Sequence, residues 1–472
     1  MGKIHFGTGG FRGLIGEDFT LENIRLLARS LVEIIYRKNL KKEVVIGYDR
    51  RLLSLEASAE MADVFSHNGI KTSLANTDSP TPTIIFETLK RELDLGFMIT
   101  ASHNPACYNG VKVFTKGGFD ADVCFTLAIE RECETLGRNT SLRREVSLPI
   151  SSFDPLKDYF QFLCSFGKGR LTHPIRLAYE NIYGTGIKVL EPLFEHLGIN
   201  EFLCLHKERD PSFGGKVPNP IPKNLEELRT IVLKNKLDVG FAADSDADRL
   251  AVIDEKGNYV SANEILCSLY YYLVVILKKE GDAVRNLATS WCLDKIAHKA
   301  GFSCHEVDVG FKNITRKMLE TNALLGGESS GGLTMRGYLK GKDTAFAVLL
   351  FLNMMDDLRK PVSHIIKEAK DYASYRSFDS EDVCYLKKGK EKVIAEILKN
   401  KSPHFASCIV RKDVMDRNIR FLFRKDEWCL LRLSNTEPCC RIYFEMNSLE
   451  GLQKEREELF SFLRKEGLIE EE

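Results

Sequence analysis

A chain of 472 residues with 44% apolar composition carries enough material for three or four hydrophobic cores, which excludes a small fold stapled by disulfides or metal. Lys plus Arg and Asp plus Glu both number 67, so no excess positive charge is available to hold nucleic acid or an anionic membrane, and small molecules are the expected partners. The 13 cysteines are odd in number and lack a CxxC pair, which predicts reduced thiols in a cytoplasmic protein.

The run Met1-Gly2-Lys3-Ile4-His5-Phe6 leads into glycine-rich sequence with no apolar region behind a basic one, so no secretory signal is expected. Leu21 to Tyr36 has helical spacing, while Val44 to Tyr48 and Leu95 to Ile99 read as buried parallel strands, making the first third α/β. After a polar stretch near Arg138 to Arg144 the rhythm returns, with strands expected at Ile175 to Tyr179 and at Leu237 to Ala243. Ile265 to Leu277 is apolar but holds three tyrosines and is shorter than the ~20 residues of a membrane span, so a buried helix is expected. A third α/β unit is read from Leu287-Ala288-Thr289-Ser290 to Ala323-Leu324-Leu325. Ser374 to Lys392 is polar and charged, and strands at Trp428 to Leu433 and Arg441 to Met446 give a smaller α+β end. The expected division is 1–145, 146–257, 258–368 and 369–472, three α/β domains with mixed sheets and one C-terminal α+β domain.

Four loops carry chemistry. Thr100-Ala101-Ser102-His103-Asn104-Pro105 follows a strand, where open α/β sheets collect ligands, so Ser102 is a candidate nucleophile; alone, the loop reads first as an ordinary Asn-Pro turn. In Asp244-Ser245-Asp246-Ala247-Asp248-Arg249 three alternating carboxylates would repel one another unless a hard cation sits among them, which suits magnesium or calcium. The spacing imitates an EF-hand with Glu255 twelfth, but Arg249 stands where that turn needs glycine and the flanks read as strands. Gly326-Gly327-Glu328-Ser329-Ser330-Gly331-Gly332 lets backbone approach a ligand while Glu328 and Ser330 face hydroxyl groups; a flexible turn is the plain alternative. Arg432-Leu433-Ser434-Asn435-Thr436-Glu437-Pro438, with Arg441 beyond, gathers the donors that a phosphate dianion demands, without the lysine of a P-loop.

In this order and at these separations the four loops resemble the α-D-phosphohexomutase superfamily of phosphoglucomutases, phosphomannomutases and phosphoglucosamine mutases. Thr8-Gly9-Gly10-Phe11-Arg12-Gly13, Gly47-Tyr48-Asp49-Arg50-Arg51, Pro80-Thr81-Pro82 and Asn109-Gly110-Val111-Lys112 extend the likeness over the whole chain. Phe213-Gly214-Gly215, Val309-Gly310-Phe311-Lys312 and Lys342-Asp343 look most like a phosphoglucomutase-like branch. The resemblance implies four domains around a central cleft and interconversion of hexose 1-phosphate and hexose 6-phosphate through a hexose 1,6-bisphosphate. Glucose is the first sugar expected, mannose or both the second and glucosamine the third; a catalytically silent regulator that binds sugar bisphosphate is the non-enzyme alternative.

The resemblance further implies a phosphoserine at Ser102, with Mg2+ held by Ser102, Asp244, Asp246 and Asp248. Arg12 and Arg249 would neutralise charge during transfer, and His103 and Lys112 are candidates for proton transfer. Glu328, Ser330 and Lys312 would bind the sugar, and Arg432, Ser434, Asn435, Thr436 and Arg441 the phosphate that stays. The expected partner is a phosphosugar, with no nucleic acid and no membrane, and the protein is expected as a monomer or homodimer.

Overall fold

The computed structural model describes residues 4–7, 9–137, 147–387, 389–415, 417–433 and 439–470, apart from the side chains of residues 391 and 392. Four sheets follow one another along the chain. The first three are mixed, each with helices packed against it; the fourth is wholly antiparallel. This is the α/β architecture with a C-terminal antiparallel unit that the sequence led us to expect.

The first sheet is built around Leu95–Ile99, Glu43–Tyr48 and Lys71–Ala75, which pair parallel, and on its other side Tyr108–Thr115 runs antiparallel to Leu95–Ile99. Every residue of Leu95–Ile99 is buried, as its unbroken apolar run requires of a strand covered on both faces. The helix Leu21–Arg37 covers one face. Thr20 caps it by accepting the Asn23 N–H, and its stripe Ile24, Leu27, Leu31, Ile34 and Ile35 is fully buried. Each of those side chains contributes roughly 1.5–3 kcal/mol at most.

The second sheet repeats the plan: Leu177–Glu180 pairs parallel with Val239–Ala243, which pairs antiparallel with Leu250–Asp254. In the third, Ala283–Asn286 pairs parallel with Leu325–Gly327, which pairs antiparallel with Leu333–Met335. In all three sheets a functional loop therefore joins a buried strand to its antiparallel neighbour. Repetition of this hairpin, invisible at the residue level, brings the three loops to equivalent places.

Two elements differ from expectation. The third unit's first strand is Ala283–Asn286, and Leu287 to Ser290 is the loop that follows it. The polar stretch after Ser374 contains the strand Phe378–Tyr385, which pairs with Cys439–Met446 at the edge of the last sheet. The expected buried helix is present as Ala262–Tyr271, started by a Ser261–Glu264 capping box and continued by a π turn at Tyr272–Ile276. Among the described residues, no helix is long and apolar enough to cross a membrane.

Candidate active site

Ser102 lies at the end of Leu95–Ile99 and is 1% exposed. Its φ of +50° is unusual for a residue with a side chain and needs its surroundings to hold it. Thr100 Oγ1 accepts the Ser102 N–H at 2.9 Å and donates to Asp49 at 2.6 Å, and Ser245 Oγ donates to the Ser102 carbonyl at 2.6 Å. So held, Ser102 Oγ donates to Asp244 Oδ2 at 2.8 Å, joining the first loop to the second.

Asp244, Asp246 and Asp248 are 0%, 0% and 2% exposed, with oxygens within 4.8 Å of one another. Asp244 Oδ1 accepts the N–H groups of Asp248 and Arg249 at 3.0 and 3.2 Å, which folds the loop back on itself. Burial, then the charges of Asp248 and Asp246, push Asp244 up to about 8. Burial acts on Asp246 and Asp248 in the same direction, but Lys112 overcomes it and holds both below the usual carboxylate range. Lys112 Nζ donates to Asp246 at 2.6 Å and to Asp248 at 2.7 Å, and its pKa is raised despite its burial. Asp246 Oδ1 and Asp248 Oδ1 are buried without a hydrogen-bond partner. Unpartnered oxygens in a cluster of three carboxylates suit a hard divalent cation, so the residues fit magnesium.

Around this centre lie the remaining groups expected from sequence. Arg12 donates to Asn104 Oδ1. Arg249 Nε is 3.9 Å from Asp244 and 3.8 Å from Asp248. His103 Nδ1 is 3.4 Å from Ser102 Oγ, and burial followed by the charges of Arg249 and Arg12 keeps its pKa well below the usual histidine value, so the ring is neutral at pH 7.

The glycine-rich loop lies against the metal loop's outgoing strand, where the Leu250 N–H donates to the Gly331 carbonyl. Gly331 has φ of +93°, and a Cβ there would come within 2.7 Å of the Leu250 carbonyl oxygen, so this contact needs glycine. Glu328 accepts from Ser330 Oγ at 2.7 Å and from Asn286 Nδ2 at 3.3 Å. In the last sheet Arg432 and Arg441 are direct cross-strand partners, and Arg441 donates to Glu381 at 3.1 Å. Ser434, Asn435 and Thr436 lie outside the described residues.

A cleft of about 500 Å³ unites these loops. Arg12, His103, Lys112, Asp248 and Arg249 line it from the first two sheets, Glu328 and Ser330 from the third, and Arg432 and Arg441 from the fourth. Ser102 is not part of the lining but adjoins it through His103, whose Nδ1 is 3.4 Å from Ser102 Oγ. The wall passes through Val309, Gly310 and Phe311 and leaves Lys312 out of it. Lys312 instead interacts with Asp120 and Asp122 of the first unit.

Sequence reasoning gave no role to Lys342 or Asp120, yet both line the cleft. Lys342 Nζ is 3.1 Å from Asp248 and 3.9 Å from Glu328, between the aspartate loop and the glycine-rich loop. The available signal was its place immediately before Asp343, which caps the helix Thr344–Leu358.

Three family descriptions match the chain: phosphoglucomutase/phosphomannomutase alpha/beta/alpha domain I over residues 3–139, domain II over 157–257 and domain III over 261–372. A Methanosphaera stadtmanae protein named "Probable phosphoglucosamine mutase" is 30% identical, covering 95% of this chain and 97% of its own. A phosphoglucomutase/phosphomannomutase of Thermococcus kodakarensis is 28% identical over 95% of this chain and 96% of its own. Among solved structures, a phosphoglucomutase/phosphomannomutase family protein from Burkholderia thailandensis superposes with a TM-score of 0.82 at 21% identity, covering 97% of each chain. At that identity the superposition speaks for the fold.

Proposed function

The chain belongs to the phosphoglucomutase/phosphomannomutase family of phosphohexomutases, intramolecular phosphotransferases, and from that premise we propose that it moves a phosphoryl group between the 1- and 6-positions of a hexose through Ser102. The observation that carries this reading is Ser102 Oγ hydrogen-bonded into the aspartate cluster, below a cleft whose far wall holds two facing arginines.

Asp244, Asp246 and Asp248 would hold magnesium, with Ser102 beside them; when bound, it supplies Lewis-acid polarisation of the phosphoryl group. Ser102 Oγ carries the phosphoryl group between turnovers. Arg12 and Arg249 face the charge that shifts during transfer, in a site that excludes much of the water. Lys112, held as a cation by two carboxylates, stabilises charge, whereas neutral His103 can give or take a proton near Ser102 Oγ. Lys342 joins them as a candidate for the sugar hydroxyl's proton. Glu328 and Ser330 hold ring hydroxyls, while Arg432 and Arg441 grip the phosphate that stays. A hexose 1,6-bisphosphate forms, turns over in the cleft and returns its other phosphate to Ser102.

Phe213-Gly214-Gly215 and Lys342-Asp343 support glucose as the sugar, with mannose the nearest alternative. The names of several similar relatives, among them the phosphoglucosamine mutase of Caldicellulosiruptor bescii at 27% identity, support glucosamine as a further reading. Turnover of the glucose, mannose and glucosamine 1-phosphates, with magnesium and the matching bisphosphate, separates them. Fastest conversion of glucose 1-phosphate to glucose 6-phosphate is expected; fastest conversion of the mannose or the glucosamine phosphate overturns the glucose assignment, and net phosphate release without isomerisation overturns the mutase.

A further inference from the structure

Arg51 is a fully buried arginine outside the cleft wall, and its four terminal N–H groups all go to the segment from Ser102 to Tyr108, the loop that carries Ser102 and the first residue of the next strand. Nη1 donates to the carbonyls of Pro105 at 2.9 Å and Tyr108 at 3.0 Å. Nη2 donates to the carbonyls of Asn104 at 2.6 Å and Ser102. Its charge faces Asp49, with Nε 3.4 Å from Oδ2, and its guanidinium lies 4.9 Å from the centre of the Phe213 ring, which comes from the second unit.

Asp49 grips the same loop from its other end. Oδ2 accepts from Thr100 Oγ1 at 2.6 Å, and that oxygen accepts the Ser102 N–H at 2.9 Å. The pair thus reaches both backbone groups of Ser102, the residue whose φ of +50° needs support. A turn of this kind can be closed by backbone bonds alone, so a buried charge pair spent on five of its groups calls for a reason beyond stability. Replacing such pairs by apolar residues is often neutral or stabilising.

We propose that Arg51 and Asp49 are positioning residues for phosphoryl transfer: together they clamp the Ser102 loop so that Oγ points at the aspartate cluster. The proposal rests on Ser102 being the phosphoryl carrier. Only a planar fork with two hydrogens on each terminal nitrogen meets four carbonyls at once; a lysine ammonium keeps the charge but not that geometry.

The test compares Arg51→Lys and Thr100→Val with wild type. Each variant is assayed for thermal midpoint, for kcat and KM with whichever hexose 1-phosphate wild type turns over fastest, and for phosphoryl uptake from glucose 1,6-bisphosphate by intact mass. Misplacing Oγ by about 1 Å is expected to lower kcat of Arg51→Lys by about 10²-fold and slow uptake equally, with KM within about 2-fold, because the sugar contacts are untouched. Thr100→Val keeps the side chain's shape and loses only the second grip; about 10-fold on kcat is expected, and this variant decides the matter should Arg51→Lys fail to fold. A lower thermal midpoint with unchanged kcat and uptake per folded molecule means a structural role only and overturns the proposal. Wild type that takes up no phosphoryl group overturns the reading of Ser102, and the clamp's purpose with it.

Discussion

Gly332 has no side chain because Lys342 fills the space one would need: a Cβ there would lie 2.0 Å from Lys342 Cδ and 2.5 Å from its Cγ. Adding that methyl group forces Lys342 away from Asp248 and Glu328 and leaves the glycine-rich loop's backbone as it is. Gly332→Ala is therefore expected to lower kcat by about 10-fold or more, with a small change in thermal midpoint, and to add little to the loss seen in Lys342→Ala. Steady-state kinetics of the two single variants and the double variant check this; wild-type turnover in Gly332→Ala removes Lys342 from the chemistry. The sequence made Asp244, Asp246 and Asp248 legible because three alternating carboxylates are costly without a cation. Asp120 was not legible, since it reaches the cleft from a stretch with no local chemical oddity, and Lys342, although Lys342-Asp343 was part of the resemblance, had no role until the tertiary fold revealed its neighbours.

At the scale of elements, the first and second units meet through Asp78, which lies before the helix Thr81–Lys90 and accepts from Arg50 Nε and Lys188 Nζ, both at 2.8 Å. Lys188 belongs to the helix Ile187–His196 of the second unit, and Arg50 also donates to the Lys207 carbonyl there. Burial would raise the Asp78 pKa, but the bonds from Lys188 and Arg50 prevail and hold it below the usual value. The unfolded chain accordingly takes up the proton first as pH falls. The stabilisation is complete above the ordinary carboxylate range and is lost as pH drops through the depressed value. Asp78→Asn is expected to cost about 2 kcal/mol at pH 7 and clearly less at an acid pH where the wild-type carboxyl is protonated, read from urea denaturation at both pH values. An equal cost at both would assign the effect to packing rather than to charge.

The same scale explains which elements could be read in advance. Leu21–Arg37 was plain from its period, and Leu95–Ile99 from its unbroken apolar run. Ala283–Asn286 was missed because its last two residues, Arg285 and Asn286, are polar yet buried. Arg285 is paired with Asp294 and with Glu306, at 2.8 Å, partners that sequence spacing does not announce. Phe378–Tyr385 was hidden because an edge strand exposes most of its residues and so carries a loop-like composition.

Over the whole molecule, three copies of one strand–loop–strand hairpin place a serine loop, an acidic loop and a glycine-rich loop around one cleft, and a fourth sheet sets two arginines opposite them. The fourth sheet is fastened to the third unit by Glu445, which accepts from Ser290 Oγ, from the Trp291 N–H at 3.0 Å and from Trp428 Nε1 at 2.7 Å. The gathering of the loops followed from the resemblance of the four motifs in series, whereas the fastening is visible only in the fold, because its groups lie far apart in sequence. The proposed chemistry converges on one atom, Ser102 Oγ. The most direct measurement is peptide mapping of the protein after incubation with magnesium and glucose 1,6-bisphosphate labelled in its phosphates. Label confined to the peptide bearing Ser102, discharged by added hexose phosphate and absent from Ser102→Ala, is the expected result. An unlabelled protein that still isomerises hexose phosphate, or label on another residue, would contradict it.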